Sequence, residues 1–280
     1  MSSDHAADTL RSPALPLGTG YNRGVNRSFA PLRAISALIL REMATSYGRS
    51  PGGYIWALIE PLAGVMILSV GFSLVAHVPA LGNSFILFFA TGMLPFSFYS
   101  NLTNNVSRSI NFSRALLFYP SVTWVDAVLA RFVLNTLTDI LVMLILFTGL
   151  IIGFDLHVDI RILPILQAIS LVALLSLGLG LVNCVLFGIF PIWMHIWSII
   201  NKPMFIISGI FFLYDDLPDA AQPLLWYNPL IHIVGLMRKG FYSTYEAQYV
   251  SATYVLMISL ICMFFGTTLM RRYHRHILNL

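Results

Sequence analysis

Three polar side chains stand within one long apolar stretch of this sequence, at a spacing that could bring them together. Arg131, Asn135 and Asp139 occupy positions i, i+4 and i+8, so an α-helix places them on one face. Ionisable groups inside a membrane segment usually face protein or water and pair with one another. The spacing therefore predicts an internal ion pair, and it is equally compatible with the polar face of a membrane-embedded active site.

A second group of candidate residues lies in residues 199–241, where a hydrophobic run is broken by the acidic sequence YDDLPD. The apolar sequence that follows is cut by Pro223 and by Asn228-Pro229. Its pieces, Ala220–Tyr227 and Pro229–Arg238, would be about 12 and 15 Å long as helices. A bilayer core is about 30 Å thick, so neither piece can span it. We predict re-entrant half-helices here; an amphipathic loop on the membrane surface is the alternative.

Aromatic side chains are concentrated around this break. Their faces could stack on sugar rings, because an aromatic face carries partial negative charge and suits the polarised C–H groups of a sugar. An aromatic belt at the membrane–water interface is the alternative interpretation. The residues concerned are Phe211, Phe212, Tyr214, Trp226, Tyr227, Phe241, Tyr242, Tyr245 and Tyr249.

The composition indicates what kind of scaffold positions these residues. The chain is 58% hydrophobic and 10% charged, whereas a soluble protein is about 25% charged. We therefore predict an all-α integral membrane protein with six transmembrane helices in one domain, residues 31–270. The predicted spans are about 54–76, 85–101, 125–154, 163–187, 199–213 and 250–270.

The predicted fourth span carries a small residue at every fourth position. These are Ser176, Gly180, Cys184 and Gly188. Such a ridge lets a neighbouring helix approach closely. The alternative is that the ridge reflects only the general abundance of Gly and Ser in membrane helices.

The segments outside the spans are polar or amphipathic. Residues 1–30 lack the apolar core of a signal peptide and predict a flexible cytoplasmic tail. Residues 31–50 predict an amphipathic helix in the interface plane, and residues 271–280 predict a basic cytoplasmic tail. Twelve of the sixteen Lys and Arg residues fall on the side of the two termini, so the positive-inside rule predicts that both termini are cytoplasmic.

The sequence lacks the motifs of several common kinds of binding and catalytic site. No GxxxxGK[ST] loop is present, so we expect no ATP binding of the P-loop kind in this chain. The sequence contains neither an HExxH motif nor a paired-cysteine spacing that would suggest a metal site. Its two cysteines lie in apolar runs. We therefore expect no catalytic residue, no metal, no cofactor bound by this chain and no nucleic-acid partner.

Three stretches, in this order and spacing, resemble bacterial polysaccharide ABC exporters of the type-2 permease class. REMATSYGRSPGGYIWALIEPL is similar to the entry of their interface helix into the first span. NNVSRSINFSRALLFYPSVTWVDAVLARFVLN resembles their segment between spans two and three. FPIWMHIWSIINKPMFIISGIFF, followed by LWYNPLIHIVGLMRKGFY, resembles their fifth span and outer re-entrant helices, in the form typical of the capsular polysaccharide branch.

The resemblance implies a homodimer in the bacterial inner membrane that moves a lipid-linked acidic polysaccharide from cytoplasm to periplasm. It implies two cytoplasmic ATPase subunits, which would bind ATP and Mg, together with periplasmic adaptor and outer-membrane export proteins and surrounding membrane lipids. By position, residues 104–119 would be the coupling helix beside the interface helix 31–47, and residues 220–238 the outer gate. The implied coupling residues are Asn105, Arg108, Ser109, Arg114, Arg41 and Glu42. The implied pathway and gate residues are Tyr214, Trp226, Tyr227, Asn228, Pro229, His232 and Arg238.

Two other functions remain open at this stage. An ABC permease could export another substrate, such as an O-antigen-like polysaccharide, a lipid or a drug. A stand-alone membrane channel or enzyme would work without an ATPase. A neighbouring gene for a P-loop ATPase would distinguish the exporter from the stand-alone protein.

Overall fold

A computed structural model describes residues 30–46, 55–118 and 122–279 of the chain. The predicted tail up to residue 29, the end of the predicted interface helix at 47–50 and Tyr54 fall outside this part. Within it the chain forms ten α-helices and one 3₁₀ turn, without a β-strand. In order they are α1 (Ala30–Ser46), α2 (Ile55–Ser73), α3 (Phe85–Ser107), α4 (Ser109–Leu117), α5 (Trp124–Gly153), α6 (Ile162–Ile189), α7 (Trp193–Ile206), the 3₁₀ turn Tyr214–Asp216, α8 (Gln222–Trp226), α9 (Pro229–Phe241) and α10 (Ala252–Asn279).

Five segments of the described chain are long and apolar enough to cross a membrane. They are α2, α3 continued by α4, α5, α6 and α10. The predicted all-helical membrane fold is confirmed, whereas a sixth span is not confirmed, because five segments of the described chain have the length and apolarity of a span. The predicted fifth span, 199–213, is wrong in its bounds, because α7 begins at Trp193 and contains only 14 residues. Its length of about 21 Å falls short of the bilayer core.

The end of α7 has a local backbone cause. The helix stops at Ile206, and Gly209 follows with a φ of +83°, a conformation that is open to glycine and disfavoured for other residues. The chain then runs through turns to α8, so the apolar residues that follow Ile206 do not lengthen the helix. The predicted span 199–213 was based on hydrophobicity alone, and it includes residues after Ile206 whose backbone is not helical.

The other predicted spans match helices, two of them with shifted ends. Helices α2, α5 and α6 confirm the predicted first, third and fourth spans. Helix α3 runs past the predicted end at 101 to Ser107, and α10 runs through the predicted basic tail to Asn279. Both extensions make contacts inside the protein, since Asn105 bonds to Asn135 and Ile277 is buried.

The predicted small-residue ridge of α6 lies against α3 and α10. The Ser176 hydroxyl donates to the Tyr99 carbonyl at 3.4 Å. A Cβ on Gly180 would stand 2.7 Å from Val106, and one on Gly188 would stand 2.6 Å from Ile277. The ridge therefore serves the close helix approach that its spacing predicts.

The bundle has two distinct ends. We call one the α4 end; it carries α1, α4 and the last turns of α10. There the Arg114 guanidinium of α4 donates to the Leu278 carbonyl of α10 at 3.0 Å. We call the other the hairpin end; it carries residues 207–251. There Arg161 donates to the Ser243 carbonyl at 3.0 Å, which ties the hairpin to the loop between α5 and α6.

Candidate functional site

Arg131 of α5 forms a buried ion pair with Glu42 of α1. Its Nε donates to the Glu42 carboxylate at 2.7 Å, and the two side chains are only 9% and 5% exposed. Arg131 thus pairs with a neighbouring helix and not with Asp139, from which two helical turns, about 12 Å, separate it along α5.

The ion pair belongs to a larger polar network at the α4 end. Arg131 Nη1 also donates to the Asn105 carbonyl at 3.0 Å, and its guanidinium lies 4.3 Å from the centre of the Phe112 ring. The Asn105 amide donates to Asn135 Oδ1 at 2.8 Å. One network thus joins α1, α3, α4 and α5, and it unites residues that the sequence had assigned to two separate sites.

Asp139 lines a polar cavity of about 150 Å³ between α2, α3 and α5, which borders the network at Asn105 and Asn135. One of its carboxylate oxygens, Oδ2, is buried without a hydrogen-bond partner. Buried polar groups in such a cavity are normally satisfied by water. The polar residues that line the cavity are Glu60, Ser97, Asn101, Asn105, Asn135, Thr138 and Asp139.

The implied coupling residues divide into buried and exposed groups. Ser109 is fully buried and Glu42 nearly so, so neither can touch a partner protein in this conformation. Arg41 lies over the Phe112 ring at 5.4 Å. Arg108 and Arg114 are exposed at the two ends of α4, so both can offer positive charge to a partner at this end.

An open groove of about 560 Å³ lies between α3 and α7. It combines hydroxyl, amide and ammonium groups with aromatic rings, although it lies along helices of the apolar bundle. Helix α7 has no buried residue, so the rest of the described chain leaves most of it uncovered. The residues that line the groove are Phe96, Ser100, Ser198, Asn201, Lys202, Phe205, Ile206 and Phe211.

Aromatic rings continue from this groove toward the hairpin end, and we call them the aromatic ladder. The Phe96 and Phe205 ring centres are 5.1 Å apart, and those of Phe205 and Phe211 are 5.4 Å apart. Phe211 then lies 5.8 Å from Phe72 and 6.3 Å from Phe89. The ladder gives this face an unbroken series of ring contacts from the middle of α3 to its outer part.

Asn228 and Pro229 divide the hairpin as their types predict. Proline has no amide proton and suits the first turn of a helix, so α9 begins at Pro229. Asn228 Oδ1 accepts from the Leu230 amide at 3.0 Å and caps this helix. Its Nδ2 donates to the Ile207 carbonyl at 3.0 Å, which fixes the hairpin to the end of α7.

Tyr214, Trp226 and Tyr227 come together in a shallow pocket of about 320 Å³ with Asp219, Gln222 and Pro223. Trp226 is held in place because its Nε1 donates to the Tyr249 carbonyl at 3.1 Å. Tyr227 is 67% exposed. The pocket therefore offers fixed aromatic faces next to a carboxylate and an amide, which are the groups that suit a sugar.

His232 and Arg238 lie inside the hairpin end and not on its surface. Arg238 is 1% exposed, and it donates to the carbonyls of Phe212 and Ile210 at 2.9 and 3.1 Å. Its guanidinium also lies 4.3 Å from the Phe88 ring centre. Full burial in this conformation prevents contact with a passing polymer, so we interpret Arg238 as a brace between α9 and the chain that follows α7.

His232 is held as a neutral imidazole by its two neighbours. Its Nδ1 accepts from the Ser251 amide at 3.3 Å, and its Nε2 lies 2.8 Å from the Trp226 carbonyl. Because Nδ1 must accept, Nε2 carries the proton and donates. Burial lowers the pKa of His232, in agreement with this arrangement.

Comparison with known proteins identifies the family of this chain. The family model described as ABC-2 type transporter matches residues 33–242. The chain belongs to the ABC-2 type transporter family. It is 32% identical to the polysialic acid transport protein KpsM of Escherichia coli over 85% of this chain and 92% of that protein. It is 31% identical to the capsule polysaccharide export inner-membrane protein CtrC of Neisseria meningitidis serogroup A over 87% and 92%, and 26% identical to BexB of Haemophilus influenzae over 87% and 92%.

The ABC-2 match covers all the features described above up to Tyr242. With its long apolar helices, this ABC-2 chain is a multi-pass membrane protein. Among its described residues no group of His, Cys, Asp and Glu could hold a metal ion.

Sequence reasoning missed four residues of these sites. Phe96 and Phe205 occur in uniformly apolar stretches, so nothing in their spacing marks them as neighbours. Lys202 lies near the start of the predicted fifth span, 199–213, and was counted only among the basic residues on the side of the two termini. Glu60 was visible as a charge beside a proline, which was a usable signal for the cavity.

Proposed function

We propose that this chain is the permease subunit of an ATP-driven exporter that moves lipid-linked capsular polysaccharide from cytoplasm to periplasm. The groove between α3 and α7 carries this proposal. It places hydroxyl, amide and ammonium groups beside aromatic rings on an uncovered face of a membrane bundle. Exposed polar groups at such depth are costly in lipid and mark a water-filled pathway. The names of the relatives KpsM and CtrC state polysialic acid transport and capsule polysaccharide export, respectively.

The groove on one chain is only half of an enclosed pathway. Helix α7 buries none of its residues, and large apolar side chains of α2 such as Ile67 and Val70 are also exposed. A second copy that covers these helices would close the groove and keep the polymer away from lipid. We therefore propose a homodimeric channel in the inner membrane, in which the groove of each copy contributes one wall.

The α4 end is the proposed docking surface for two cytoplasmic ATPase subunits. Arg108 and Arg114 provide exposed positive charge there, and the chain has no phosphate-binding loop of its own. ATP and Mg would then be bound by the partner subunits. The network of Glu42, Arg131 and Asn105 lies directly behind this surface, so it can pass a movement of α4 to α1 and α5. Both termini would be cytoplasmic, and periplasmic adaptor and outer-membrane proteins would continue the route.

The hairpin end would then face the periplasm and hold the exit. The pocket of Tyr214, Trp226 and Tyr227 suits a sugar leaving the groove. We propose that residues 222–241 form the re-entrant outer gate, in which Asn228 and Pro229 fix the break between the two short helices. The aromatic ladder ends close to this segment.

The proposal is tested by purifying the chain with the ATPase encoded beside it and measuring ATP hydrolysis with and without polymer. We expect the two proteins to copurify and the polymer to stimulate hydrolysis. Charge reversal of Arg108 and Arg114 to Glu should abolish copurification while membrane insertion persists, because opposed like charges across an interface cost several kcal/mol. Reversal of Arg161, at the hairpin end, is the matched control.

The outcomes separate the alternatives. Hydrolysis that responds to a lipid or a drug but not to polysaccharide would assign a different ABC substrate. A conductance or enzymatic activity of the chain without any ATPase would indicate a stand-alone channel or enzyme. Normal copurification of the doubly reversed variant would contradict the proposed docking surface.

A further inference from the structure

We infer that Lys202 is a substrate-binding residue of the groove, where its ammonium group attracts the acidic groups of the passing polymer. The inference rests on the proposed export function and adds to it a residue and a charge preference. Lys202 lines the groove together with Phe96 and Ser100 of α3 and with Ser198 and Asn201 of its own helix.

The position of Lys202 along the bundle makes its charge informative. Phe96 and Ser100 lie about 16 and 22 Å along α3 from Phe85, so the groove opens within the span and not at its rim. Lys202 lies about 14 Å along α7 from Trp193. A charge at such depth is expensive in lipid and is usually retained where it meets water or an opposite charge.

Within residues 30–46, 55–118 and 122–279, Lys202 forms no ion pair, whereas Arg131 pairs with Glu42. The Lys202 side chain is exposed to the groove. Its charge is therefore available to a ligand, whereas Arg131 and Arg238 are both bound by protein groups.

Asn201, the neighbour of Lys202, supplies an independent indication of a ligand. Its Oδ1 is buried and has no hydrogen-bond partner, and the same holds for Nε1 of Trp197, one helical turn earlier. A buried acceptor and a buried donor that remain unpaired are uncommon. Asn201 itself lines the groove, so a sugar hydroxyl that reaches its side chain would satisfy Oδ1, whereas Trp197 lies outside the groove lining.

These groups together define a chemical class. The aromatic ladder suits the apolar faces of sugar rings, the amide and hydroxyl groups suit sugar hydroxyls, and the ammonium suits a carboxylate or phosphate. A lysine also fits a moving ligand, because its point charge accepts many geometries, while an arginine fork favours one. The ligand is a polyanionic glycan, and Lys202 favours it over a neutral glycan of equal length.

The test uses the permease–ATPase complex in vesicles of phosphatidylcholine, with polysialic acid fragments as the acidic probe and dextran of equal length as the neutral probe. The variants are Lys202→Gln, Lys202→Arg and Lys202→Glu. Lys239→Gln is the matched control, because Lys239 is the other lysine of the chain and lies in α9, away from the groove. Basal ATP hydrolysis and copurification with the ATPase report on structural damage.

Lys202→Gln should raise the polysialic acid concentration for half-maximal stimulation by about tenfold, the size of one charge-assisted contact. Lys202→Glu should raise it further, and Lys202→Arg should stay near the unmodified chain. The response to dextran and the behaviour of Lys239→Gln should not change. In cells, surface export of acidic polymer should fall in the same order at matched membrane levels.

The possible failures point to different errors. If Lys202→Gln responds to polysialic acid like the unmodified chain and exports normally, Lys202 reaches lipid headgroups or a second copy, and the inference is wrong while the export function stands. Equal shifts for dextran and polysialic acid would mean that Lys202 shapes the groove without selecting charge. If the unmodified chain neither responds to polymer nor exports it, the proposed function and this inference both fall.

Discussion

Removal of Arg131 alone from the Glu42–Arg131 ion pair should destabilise the protein more than removal of both charges. The pair is 2.7 Å long and its side chains are 9% and 5% exposed, so each charge depends on the other. Arg131→Met leaves the buried carboxylate without the guanidinium and should cost about 3–5 kcal/mol of unfolding free energy. Glu42→Gln keeps an oxygen acceptor for Arg131 Nε and should cost about 1–3 kcal/mol.

The double variant isolates the interaction. With both charges gone, neither side chain is left as an uncompensated buried ion, and we expect a cost of about 2–3 kcal/mol in total. The cost of the double variant therefore lies about 1 kcal/mol or more below the sum of the single variants. Unfolding in mixed detergent micelles, followed by tryptophan fluorescence, measures all three variants against the unmodified chain.

An exposed arginine provides the control for this prediction. Arg114→Met removes an exposed arginine with one hydrogen bond to Leu278, and it should cost less than about 1 kcal/mol. Additive costs for the Glu42 and Arg131 variants, within about 0.5 kcal/mol, would show that the two charges do not depend on each other. The α4-end network would then be a set of independent contacts.

Three further predictions address the hairpin and the helix packing. Replacement of Asn228-Pro229 by Ala-Ala should allow a continuous helix from α8 into α9, and surface polymer should be lost while ATPase copurification remains. Because the pKa of His232 is lowered by burial, its contribution to stability is complete above pH 6.5, the ordinary value for histidine, and is lost as pH falls through its folded value. The melting temperature should therefore fall between pH 7.5 and 5.5, and less so in His232→Gln. Gly180→Leu should lower membrane abundance severely, because even a Cβ there would stand 2.7 Å from Val106.

Each of these predictions has a neighbouring control. Export at the normal level by the Ala-Ala variant would show that the break is a plain surface loop. An unchanged pH dependence in His232→Gln would assign the acid sensitivity to another group. Gly149→Leu is the control for Gly180, since no atom lies within 4 Å of a Cβ at Gly149, and equal losses would exclude close packing as the cause.

Local patterns were sufficient for much of the fold. Helices α5 and α6 were predicted nearly to their ends, because their apolar runs are long and are bounded by turn residues. The end of α3 was missed because Asn105 is polar, and composition alone does not distinguish a polar residue that faces solvent from one that bonds to Asn135. The bounds of α7 were missed because they depend on the conformation of Gly209 and not on hydrophobicity.

In the candidate sites, too, the features that depend on neighbouring residues could be predicted from the sequence, and the contacts between distant residues could not. The shared face of Arg131, Asn135 and Asp139 follows from helical spacing, and the role of Asn228 and Pro229 follows from their backbone chemistry. The partner of Arg131 lies 89 residues away in α1, so no local pattern could identify it. The grouping of Lys202 with Phe96 likewise depends on how α3 and α7 pack.

Helix α10 connects the two ends of the molecule as a single rod of 28 residues, about 42 Å long. Its first turn bonds to the hairpin, where the Tyr254 hydroxyl donates to the Tyr227 carbonyl at 2.7 Å, and its last turn receives Arg114 of α4. Close contacts with α6 follow the rod along its length, since a Cβ on Gly178 would stand 2.8 Å from Ser259, one on Gly266 2.6 Å from Leu181 and one on Gly188 2.6 Å from Ile277. Helices α6 and α10 are therefore packed as one rigid pair, and a displacement of α4 would reach the hairpin end by moving both together.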